Sequence, residues 1–507
     1  MKDQGLPLLS FFAAGAIAWG LYAATTAPWL TWAHDGADGG DLIAAAMTWG
    51  VPHPSGYPTY CLLGRAFALL PLGSIAHRFH LFSATMAALS TAMVCALAWR
   101  ELGVETTEHH RPWVAGLAVL VALLWATSRT LWSQAIIAEV YAPLAAGLAL
   151  SLLLALQPGT PRRWLGLGLV LGLSLGLHLT TVLLLPGLAL LLWSRRGPRP
   201  ARSALSLLAG LVMGLGVYGY LPLAARRDPP INWGDAQTWD GFWWTVGGAP
   251  YRSYLFGLPI EHLPERLAAW LALWCQQYTA PGMALALLGL AETWERQRSQ
   301  ALGQLLIVLA FSAYAIGYDT VDSYVYVLPA YLPAAIWLAV GSRSLSRWLA
   351  RWLPLHLAMA GAAGALALLL GWGFAERLPA LNLSQDRESR EWVEDALATL
   401  PPGALLITGE DRHTFALDYA QWAEGRRRDL CVVDGELLPY RWYVEQLSRR
   451  CPSLARSGAS PSLPALLAEQ FGQRPIYLAS PRPELGVHWR IERRGPLWLV
   501  AGPLAPF

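Results

Sequence analysis

Apolar stretches of about 20 residues recur along the chain, and no other feature of the sequence restricts its fold as strongly. A helix of roughly that length is needed to cross a hydrocarbon core of about 30 Å. The composition agrees, because 55% of the 507 residues are hydrophobic and 14% are charged, whereas soluble chains carry about 25% charged residues. We predict about eleven transmembrane helices: 6–27, 78–99, 113–130, 134–156, 164–177, 179–194, 203–223, 280–292, 302–318, 324–340 and 354–373.

Basic residues fall in alternate loops and indicate the orientation of the chain, because Lys and Arg accumulate in short cytoplasmic loops. The opposite loops, at 28–77 and 224–279, and everything after residue 374 are therefore predicted to be extracytoplasmic, in a protein integral to a bacterial inner membrane. The net charge of +3 reflects this bias and indicates no nucleic-acid partner. The basic set is Lys2, Arg100, Arg111, Arg162, Arg163, Arg195, Arg196, Arg199, Arg202, Arg296, Arg298, Arg343, Arg347 and Arg351.

The composition changes after Phe374, where charged residues become frequent. Short apolar segments typical of buried strands, "ALLIT", "DLCVV" and "PIYLA", alternate there with helical patterns. The sequence thus predicts a transmembrane domain at 1–374 and a soluble α/β domain at 375–507. No GxGxxG or P-loop fingerprint points to a nucleotide. An oxidising compartment would permit, without requiring, a disulfide between Cys431 and Cys451.

Three aspartates, Asp35, Asp38 and Asp41, lie three residues apart directly after the first apolar run. One interpretation is helix capping, with Asp38 at the N-cap and Asp41 at the third helical position. An apolar stripe that includes Leu42 and Trp49 would then lay this helix flat on the membrane surface.

The same aspartates allow two further interpretations. A metal cage is one, although calcium loops place their oxygen ligands at every other residue, which this spacing does not. General-base catalysis is the other, because a carboxylate tuned by a neighbouring carboxylate can accept the proton of a hydroxyl nucleophile. Capping and catalysis are compatible, since a capping geometry also fixes the side chain.

The strings "DGGDLI" (38–43) and "GVPHPSGYPTY" (50–60) resemble the first extracytoplasmic loop of the transmembrane O-mannosyltransferase-like family. These are multispan proteins related to the GT-C glycosyltransferases. The family usually has Glu where this chain has Asp41. The likeness extends over most of the chain, through "AEVYAP" (138–143), "GLHLT" (176–180), "INWGD" (231–235), "DSYVYVLPAY" (322–331), "GALLITGEDRHTFALDYAQ" and "RRRDLCVVDGELLPYRWY".

The resemblance implies a polytopic α-helical, GT-C-like protein that moves mannose or another hexose from a polyprenyl-phosphate donor to a hydroxyl of an exported protein or glycan. It also implies that an acidic residue of the first outer loop deprotonates this hydroxyl and that the anomeric carbon is inverted. We expect Asp38 to be the base and Asp41 to be its partner or the alternative base. Some GT-C enzymes use a divalent cation, such as Mg²⁺ or Mn²⁺, and the sequence leaves metal dependence open.

Further side chains are expected to bind the donor. Arg226 and Arg227 follow the seventh predicted span and would hold the phosphate, or else anchor a helix end to lipid headgroups. His53 and Tyr57 lie in a proline-rich turn and would bind phosphate or sugar, unless the histidine ring only stabilises the turn. Sugar recognition would suit Asn232 and Trp233. Supporting candidates are Asp35, Glu139, Tyr141, His178, Arg252 and Asp322.

Rival functions make different demands on the sequence. A transporter should show internal repeats and broken helices near the membrane midplane, and no convincing repeat is found. A flippase or binding protein for lipid-linked sugars would recognise the same donor but would not need an aspartate base. Within the transferase class, a glycan or a lipid is an alternative acceptor to protein Ser or Thr.

Overall fold

The structure is a computed structural model that describes residues 5–103, 107–157, 159–195, 200–454 and 462–504. The predicted cytoplasmic residues Lys2, Arg196 and Arg199 lie outside the described residues. The first part of the chain forms α1 (Gly5–Thr25), α2 (Gly39–Thr48), α3 (Pro58–Ala68), α4 (Ile75–Leu102), α5 (Arg111–Ala126), α6 (Arg129–Ala135), α7 (Tyr141–Ala155), α8 (Pro161–Leu175), α9 (Leu185–Ser194), α10 (Pro200–Leu215), α11 (Tyr220–Ala225), α12 (Trp239–Val246), α13 (Leu263–Arg296), α14 (Arg298–Gly317), α15 (Tyr331–Leu349) and α16 (Leu355–Leu381).

Among the described residues, six helices are long and apolar enough to cross a membrane: Gly5–Thr25, Ile75–Leu102, Pro200–Ala225, Arg298–Gly317, Val321–Leu349 and Leu355–Leu381. The pair Glu108–Ala126 and Arg129–Ala135, bent by 69°, adds a seventh if it is one span. Two shorter apolar helices cover Tyr141–Ala155 and Leu179–Ser194. A predominantly helical protein with six or seven helices that are long and apolar enough to cross a membrane is thus confirmed, whereas the count of eleven stays a prediction.

The predicted outer loop at 224–279 is shorter in the structure, because α13 begins at Leu263. Its first half carries polar residues among the apolar ones and so lacks the continuous apolar run that predicts a span. The helix is broken at Thr279, where φ is 63°, and Pro281, which cannot donate a helical hydrogen bond, follows. The predicted span at 280–292 corresponds to the second half of α13 alone.

The predicted boundary after Phe374 also moves, because α16 continues to Leu381. The charge that suggested an aqueous domain here belongs partly to Arg377, whose side chain is buried. Its guanidinium donates to the carbonyl oxygen of Thr127 at 2.8 Å. A charged side chain that is buried with hydrogen-bond acceptors does not mark the start of a soluble domain.

The chain beyond α16 forms a five-stranded mixed sheet with helices packed on it. The strand order is β2-β1-β3-β5-β4, with β1 parallel to β2 and to β3, and β5 antiparallel to β3 and to β4. Strands β1 to β3 coincide with the three predicted apolar strands. The elements are α17 (Glu388–Thr399), β1 (Leu405–Thr408), α18 (Asp411–Asp418), β2 (Cys431–Asp434), α19 (Arg441–Arg450), α20 (Leu463–Gln470), β3 (Ile476–Leu478), β4 (Trp489–Arg494) and β5 (Leu497–Pro503).

A disulfide joins Cys431 to Cys451, with their Cα atoms 5.8 Å apart. It ties β2 to the end of α19. Helix α19 in turn contacts the second outer loop, because Gln446 Nε2 donates to the carbonyl oxygen of Pro230 at 2.7 Å. The disulfide that the sequence left open is therefore present, and it braces a helix that touches the transmembrane part.

Helix α2 is buried between the helix bundle and the C-terminal sheet region, so its predicted position flat on a membrane surface is wrong. Its residues from Gly39 to Ala46 are all buried. A Cβ atom on Gly40 would lie 2.2 Å from the carbonyl oxygen of Phe415 in α18, so only a glycine admits this approach. The apolar face of α2 packs against protein rather than against lipid.

Candidate active site

The first outer loop, the second outer loop and α18 meet around a cavity of about 610 Å³. A 3₁₀ helix, Ala33–Asp38, leads into α2 on one wall. Within it, Asp35 has a φ of 60°, a left-handed conformation that aspartate tolerates better than most side chains. A volume of this size falls within the range of pockets that bind small molecules.

Asp38 and Asp41 differ in what they can reach. Asp38 lines the cavity, and its side chain is 41% exposed. Asp41 is fully buried. One oxygen of Asp41 accepts from the backbone N–H of His53 at 2.8 Å and lies 2.7 Å from His53 Nδ1, and its other oxygen accepts from Trp233 Nε1 at 3.1 Å. Asp41 therefore cannot contact a substrate in the cavity, which corrects its expected role as an alternative base.

The capping interpretation is also corrected. Asp38 does occupy the N-cap position of α2, but its side chain accepts no capping hydrogen bond. It faces His53 instead, with Asp38 Oδ2 3.4 Å from His53 Nε2. The histidine ring thus lies between the two aspartates, in contact with the buried one and facing the exposed one.

The two outer loops pair through their backbones, which fixes this arrangement. The N–H of Val51 donates to the carbonyl oxygen of Ile231 at 2.9 Å, and the N–H of Trp233 donates to the carbonyl oxygen of Val51 at 3.0 Å. This pairing brings the segment "INWGD" beside "VPHPSGYP". It also places the Trp233 indole against Asp41.

The His53 ring is enclosed by aromatic side chains and held by charge. Phe415 stacks on it at a centroid distance of 6.0 Å, and Tyr57 meets it edge-on at 5.0 Å. Burial alone would lower the pKa of His53, but the negative charges of Asp38 and Asp41 outweigh burial and raise the pKa to about 9. His53 is therefore an imidazolium at neutral pH, able to donate from both nitrogens.

The carboxyl groups around the cavity share one electrostatic environment. Partial desolvation inside the cavity raises the pKa of Asp38, and the attraction of His53 offsets this rise only in part. The charges of Asp322, Asp41 and Asp35 raise it further. Enclosure by the cavity wall and, after it, the charge of Asp38 raise the pKa of Asp411 to about 6, although its side chain keeps contact with solvent. A carboxylate with a raised pKa is a stronger base than an ordinary aspartate.

Most of the supporting candidates line the cavity as well. Asp35 is among them and accepts a hydrogen bond from Tyr324 Oη at 3.0 Å. His178 Nδ1 accepts from the N–H of Thr180 at 3.2 Å, so this ring both faces the cavity and caps a helical turn. The expected residues on the cavity wall are Asp35, Asp38, His53, Tyr57, Tyr141, His178, Arg252 and Asp322.

Glu139 lies behind the wall rather than on it. Its side chain is buried, and one oxygen accepts from the N–H of Val140 at 3.3 Å. The other oxygen has no hydrogen-bond partner among the described residues. Its charge is close enough to His53 to raise the pKa of that histidine.

Four residues expected to bind the donor lie elsewhere. Arg226 and Arg227 are exposed outside the cavity, and the Arg227 guanidinium lies 6.0 Å from the centre of the Trp49 ring. Asn232 Nδ2 donates to Asp235 within its own turn at 3.5 Å. The Trp233 indole donates to the buried Asp41 and does not line the cavity. These assignments to phosphate and sugar binding are therefore corrected.

Several cavity residues were not expected from the sequence. Asp411 belongs to "GEDRHTF", a segment that the family likeness includes but to which no role was assigned. The tyrosines lie at helix ends and in the second loop, where aromatic residues commonly mark the membrane interface, so the sequence offers no separate signal for them. They are Tyr251, Tyr254, Tyr314, Tyr318 and Tyr326.

No group of three or more His, Cys, Asp or Glu side chains in the described parts of the chain is arranged to hold a metal ion. As arranged, the carboxylates of the cavity do not fit a divalent-cation site. Metal dependence stays open, as the sequence left it.

Comparisons with known proteins give two matches to family profiles. Residues 38–200 match the profile of the protein O-mannosyl-transferase TMEM260 N-terminal domain, and residues 389–479 match TMEM260-associated domain 2. The chain is 25% identical over 450 residues to protein O-mannosyl-transferase TMEM260 of Mus musculus. That alignment covers 83% of this chain and 62% of the mouse protein.

Two solved structures share the fold. ArnT from Cupriavidus metallidurans bound to undecaprenyl phosphate superposes with a TM-score of 0.59 at 13% sequence identity, and apo ArnT superposes with a TM-score of 0.57 at 12%. Each alignment covers 96% of both chains. At these identities the likeness establishes a common architecture.

Proposed function

Because this chain belongs to the transmembrane O-mannosyltransferase-like family, we propose that it is a membrane glycosyltransferase of the GT-C type. It transfers mannose or another hexose from a polyprenyl-phosphate carrier to a hydroxyl group of an extracytoplasmic acceptor, a Ser or Thr of an exported protein. The observation that carries this proposal is the Asp38 carboxylate, which faces a cavity of about 610 Å³ and lies against a charged His53.

In this proposal the eleven predicted segments cross a bacterial inner membrane, with the cavity and the C-terminal α/β domain outside the cytoplasm. Two observations support this orientation. Basic residues of the predicted cytoplasmic loops gather around common acidic partners, as when Arg343 and Arg347 pair with Glu292 at 3.0 and 2.7 Å. The disulfide between Cys431 and Cys451 suits an oxidising compartment.

The chemistry assigned to Asp38 is proton removal from the acceptor. As the acceptor oxygen bonds to the anomeric carbon, its proton moves to Asp38, and the bond between that carbon and the phosphate oxygen breaks. The electron pair leaves with the polyprenyl phosphate. Attack opposite to the leaving group inverts the anomeric centre. General-base catalysis of this kind contributes roughly 100- to 10,000-fold to a rate.

The neighbouring side chains prepare this step. Asp41 holds His53 through two contacts, and the His53 ring faces one oxygen of Asp38 at 3.4 Å and so orients this carboxylate. Asp41 and His53 are therefore positioning residues. Arg252 lines the same cavity and provides a guanidinium for the negative charge that develops on the leaving phosphate. The tyrosine hydroxyls of the wall can hydrogen-bond to a hexose.

A transfer assay tests the proposal. Purified protein would receive radiolabelled polyprenyl-phosphate hexoses together with peptide, glycan and lipid acceptors. We expect transfer to peptide hydroxyls, with Asp38→Asn slower by roughly 100-fold or more, because the amide cannot accept the proton. Asp240→Asn is the matched control, since it changes an exposed aspartate of the second outer loop outside the cavity.

Different results would redirect the assignment. Donor binding without transfer, equal in wild type and Asp38→Asn, would contradict the transferase and favour a flippase or binding protein for lipid-linked sugars. Transfer to a glycan or lipid alone would keep the reaction and change the acceptor. Equal loss of activity in Asp240→Asn would show that the effect of Asp38→Asn is not specific to the base.

A further inference from the structure

A carboxylate of the C-terminal region, Asp411, reaches the cavity that contains Asp38. Asp411 is the first residue of α18, and its side chain is exposed on the cavity wall. The described residues offer it no hydrogen-bond partner. The other cavity carboxylates, Asp35 and Asp322, come from the transmembrane part of the chain.

The position of Asp411 is fixed by contacts on its own helix. Phe415 stacks on the His53 ring at 6.0 Å. The carbonyl oxygen of Phe415 rests on Gly40, where a Cβ atom would be only 2.2 Å away. Asp411 lies one turn earlier on the same helix, so its distance from the base region is set by packing rather than by a flexible loop.

The charges on the cavity wall indicate whether the donor or the acceptor binds beside Asp411. The donor phosphate is an anion, and among the described residues of the wall the one arginine is Arg252, in the second outer loop. Asp411 is contributed by the part that stands outside the membrane in the proposed orientation. A carboxylate there repels a phosphate and attracts N–H groups and cations.

From this arrangement we propose that Asp411 selects the acceptor, by binding a cationic side chain or an N–H group of a peptide beside the hydroxyl that receives the sugar. The inference rests on the proposed function and adds the chemistry of its second substrate. Peptides with a basic residue next to the acceptor Thr are preferred over peptides with an acidic residue there. The C-terminal sheet region therefore takes part in substrate choice through one side chain.

A purely structural role for Asp411 makes another prediction. An acidic residue in the first turn of a helix stabilises that helix through the helix dipole. The neighbouring Glu410 offers the same charge at the same helix end, but it pairs with Arg412 at 2.8 Å and does not line the cavity. If the role of Asp411 were purely structural, loss of its charge and loss of the Glu410 charge would lower the stability of α18 to a similar extent.

The experiment compares acceptor peptides that contain one Thr flanked by Lys, Gln or Glu, at a fixed concentration of polyprenyl-phosphate hexose. The proteins are wild type, Asp411→Asn, Asp411→Ala and the control Glu410→Gln, all with the same 507-residue chain. We expect wild type to favour the Lys peptide over the Glu peptide by about tenfold or more in kcat/KM, the size of one charge-assisted hydrogen bond. In both Asp411 variants this preference should fall below about threefold, with the donor KM unchanged.

The possible results separate this inference from the proposal on which it rests. A preference kept by Glu410→Gln and lost in both Asp411 variants supports acceptor selection. An unchanged preference in the Asp411 variants, an equal loss in Glu410→Gln, or a raised donor KM overturns it while transfer itself stands. If wild type transfers sugar to no acceptor, the proposed function fails, and this inference fails with it.

Discussion

At the scale of single residues, Asp38 is positioned by a row of side chains and not by its own helix. Trp233 donates to Asp41, Asp41 holds His53, and His53 faces Asp38. The buried charge of Asp41 is tolerated because three donors satisfy its two oxygens. Two side chains outside the cavity, Trp233 and Asp41, thus act through His53 on its wall to control how the base is presented to a substrate.

The raised pKa of His53 predicts how stability depends on pH. In the unfolded chain this histidine titrates near 6.5, and in the folded protein its pKa is about 9. Its stabilising contribution is therefore complete below pH 6.5 and is lost as the pH rises through 9. The amount is on the order of 3 kcal/mol. We expect wild type to lose stability over this range relative to His53→Gln, as measured by thermal unfolding in detergent at each pH.

The comparison with His53→Gln removes the titration of groups that do not interact with His53, because both proteins share them. Asp38 and Asp411 do interact with His53, but as carboxyl groups they titrate mainly below the range from 6.5 to 9. Unfolding curves that change in parallel from pH 6 to pH 10 would contradict a charged His53. A gap that opens instead as the pH falls below 6.5 would assign the effect to a carboxyl group.

Part of this site could be predicted from the sequence and part could not. Asp38 and His53 belong to a specific local string, so the likeness of that string to a family was enough to select them. Asp38 is assigned as the base and Asp41 as a positioning residue because Asp41 is the buried carboxylate. A spacing of three residues does not determine which of the two is buried. The Trp233 contact depends on pairing between two loops far apart in the chain, which local patterns do not contain.

At the scale of secondary-structure elements, the crossing of α2 and α18 is the close contact between the two parts of the chain that lies nearest to Asp38 and His53. Gly40→Ala would place a methyl group 2.2 Å from the carbonyl oxygen of Phe415, and overpacking of this kind typically costs about 1–3 kcal/mol. We expect a lower melting temperature and slower transfer, because Phe415 would be pushed off the His53 ring. Thermal unfolding and the transfer assay measure both effects.

Gly20→Ala is the matched control for this substitution. Gly20 is also a helical glycine, in α1, and a Cβ atom there would have no heavy atom within 4 Å. The Gly20→Ala variant should be as stable as wild type or slightly more stable. If Gly40→Ala behaved like Gly20→Ala, α18 would not be in close contact with α2.

The sequence predicts where helices form better than it predicts whether lipid or protein packs against them. Hydrophobic length marks a span well when the run is continuous, as in α4, and it fails for the polar first half of α13. The stripe on α2 correctly indicates a helix with an apolar face. Hydrophobicity does not distinguish lipid from a protein surface, however, so the stripe could not show that the C-terminal region covers this helix.

At the scale of the whole molecule, the disulfide should stabilise the contact between the sheet region and the second outer loop. Replacement of Cys431 and Cys451 by Ser opens a loop of about 20 residues, which is worth roughly 3 kcal/mol by chain entropy. We expect the double variant to unfold at lower denaturant concentration and to transfer sugar more slowly, because α19 carries Gln446 against Pro230. Tryptophan fluorescence during denaturation reports the unfolding.

The free thiol of Cys275 supplies the control for that experiment. It lies exposed on α13 and forms no disulfide in the structure, so Cys275→Ser should unfold like wild type. Reductant should lower the denaturant concentration at which wild type unfolds to that of the double variant. It should leave the unfolding of the double variant unchanged. Equal unfolding of oxidised and reduced wild type would mean that the disulfide does not brace the molecule.

The stacking of Phe415 on His53 also means that the parts of the site are assembled in a fixed order during synthesis. Ribosomes release the first outer loop early, so Asp38 and His53 reach the membrane long before the residues of α18 have been synthesised. A nascent chain thus has its base but lacks the covering ring and Asp411. The cavity wall becomes complete only when the part of the chain that is made last has folded back onto the part that is made first.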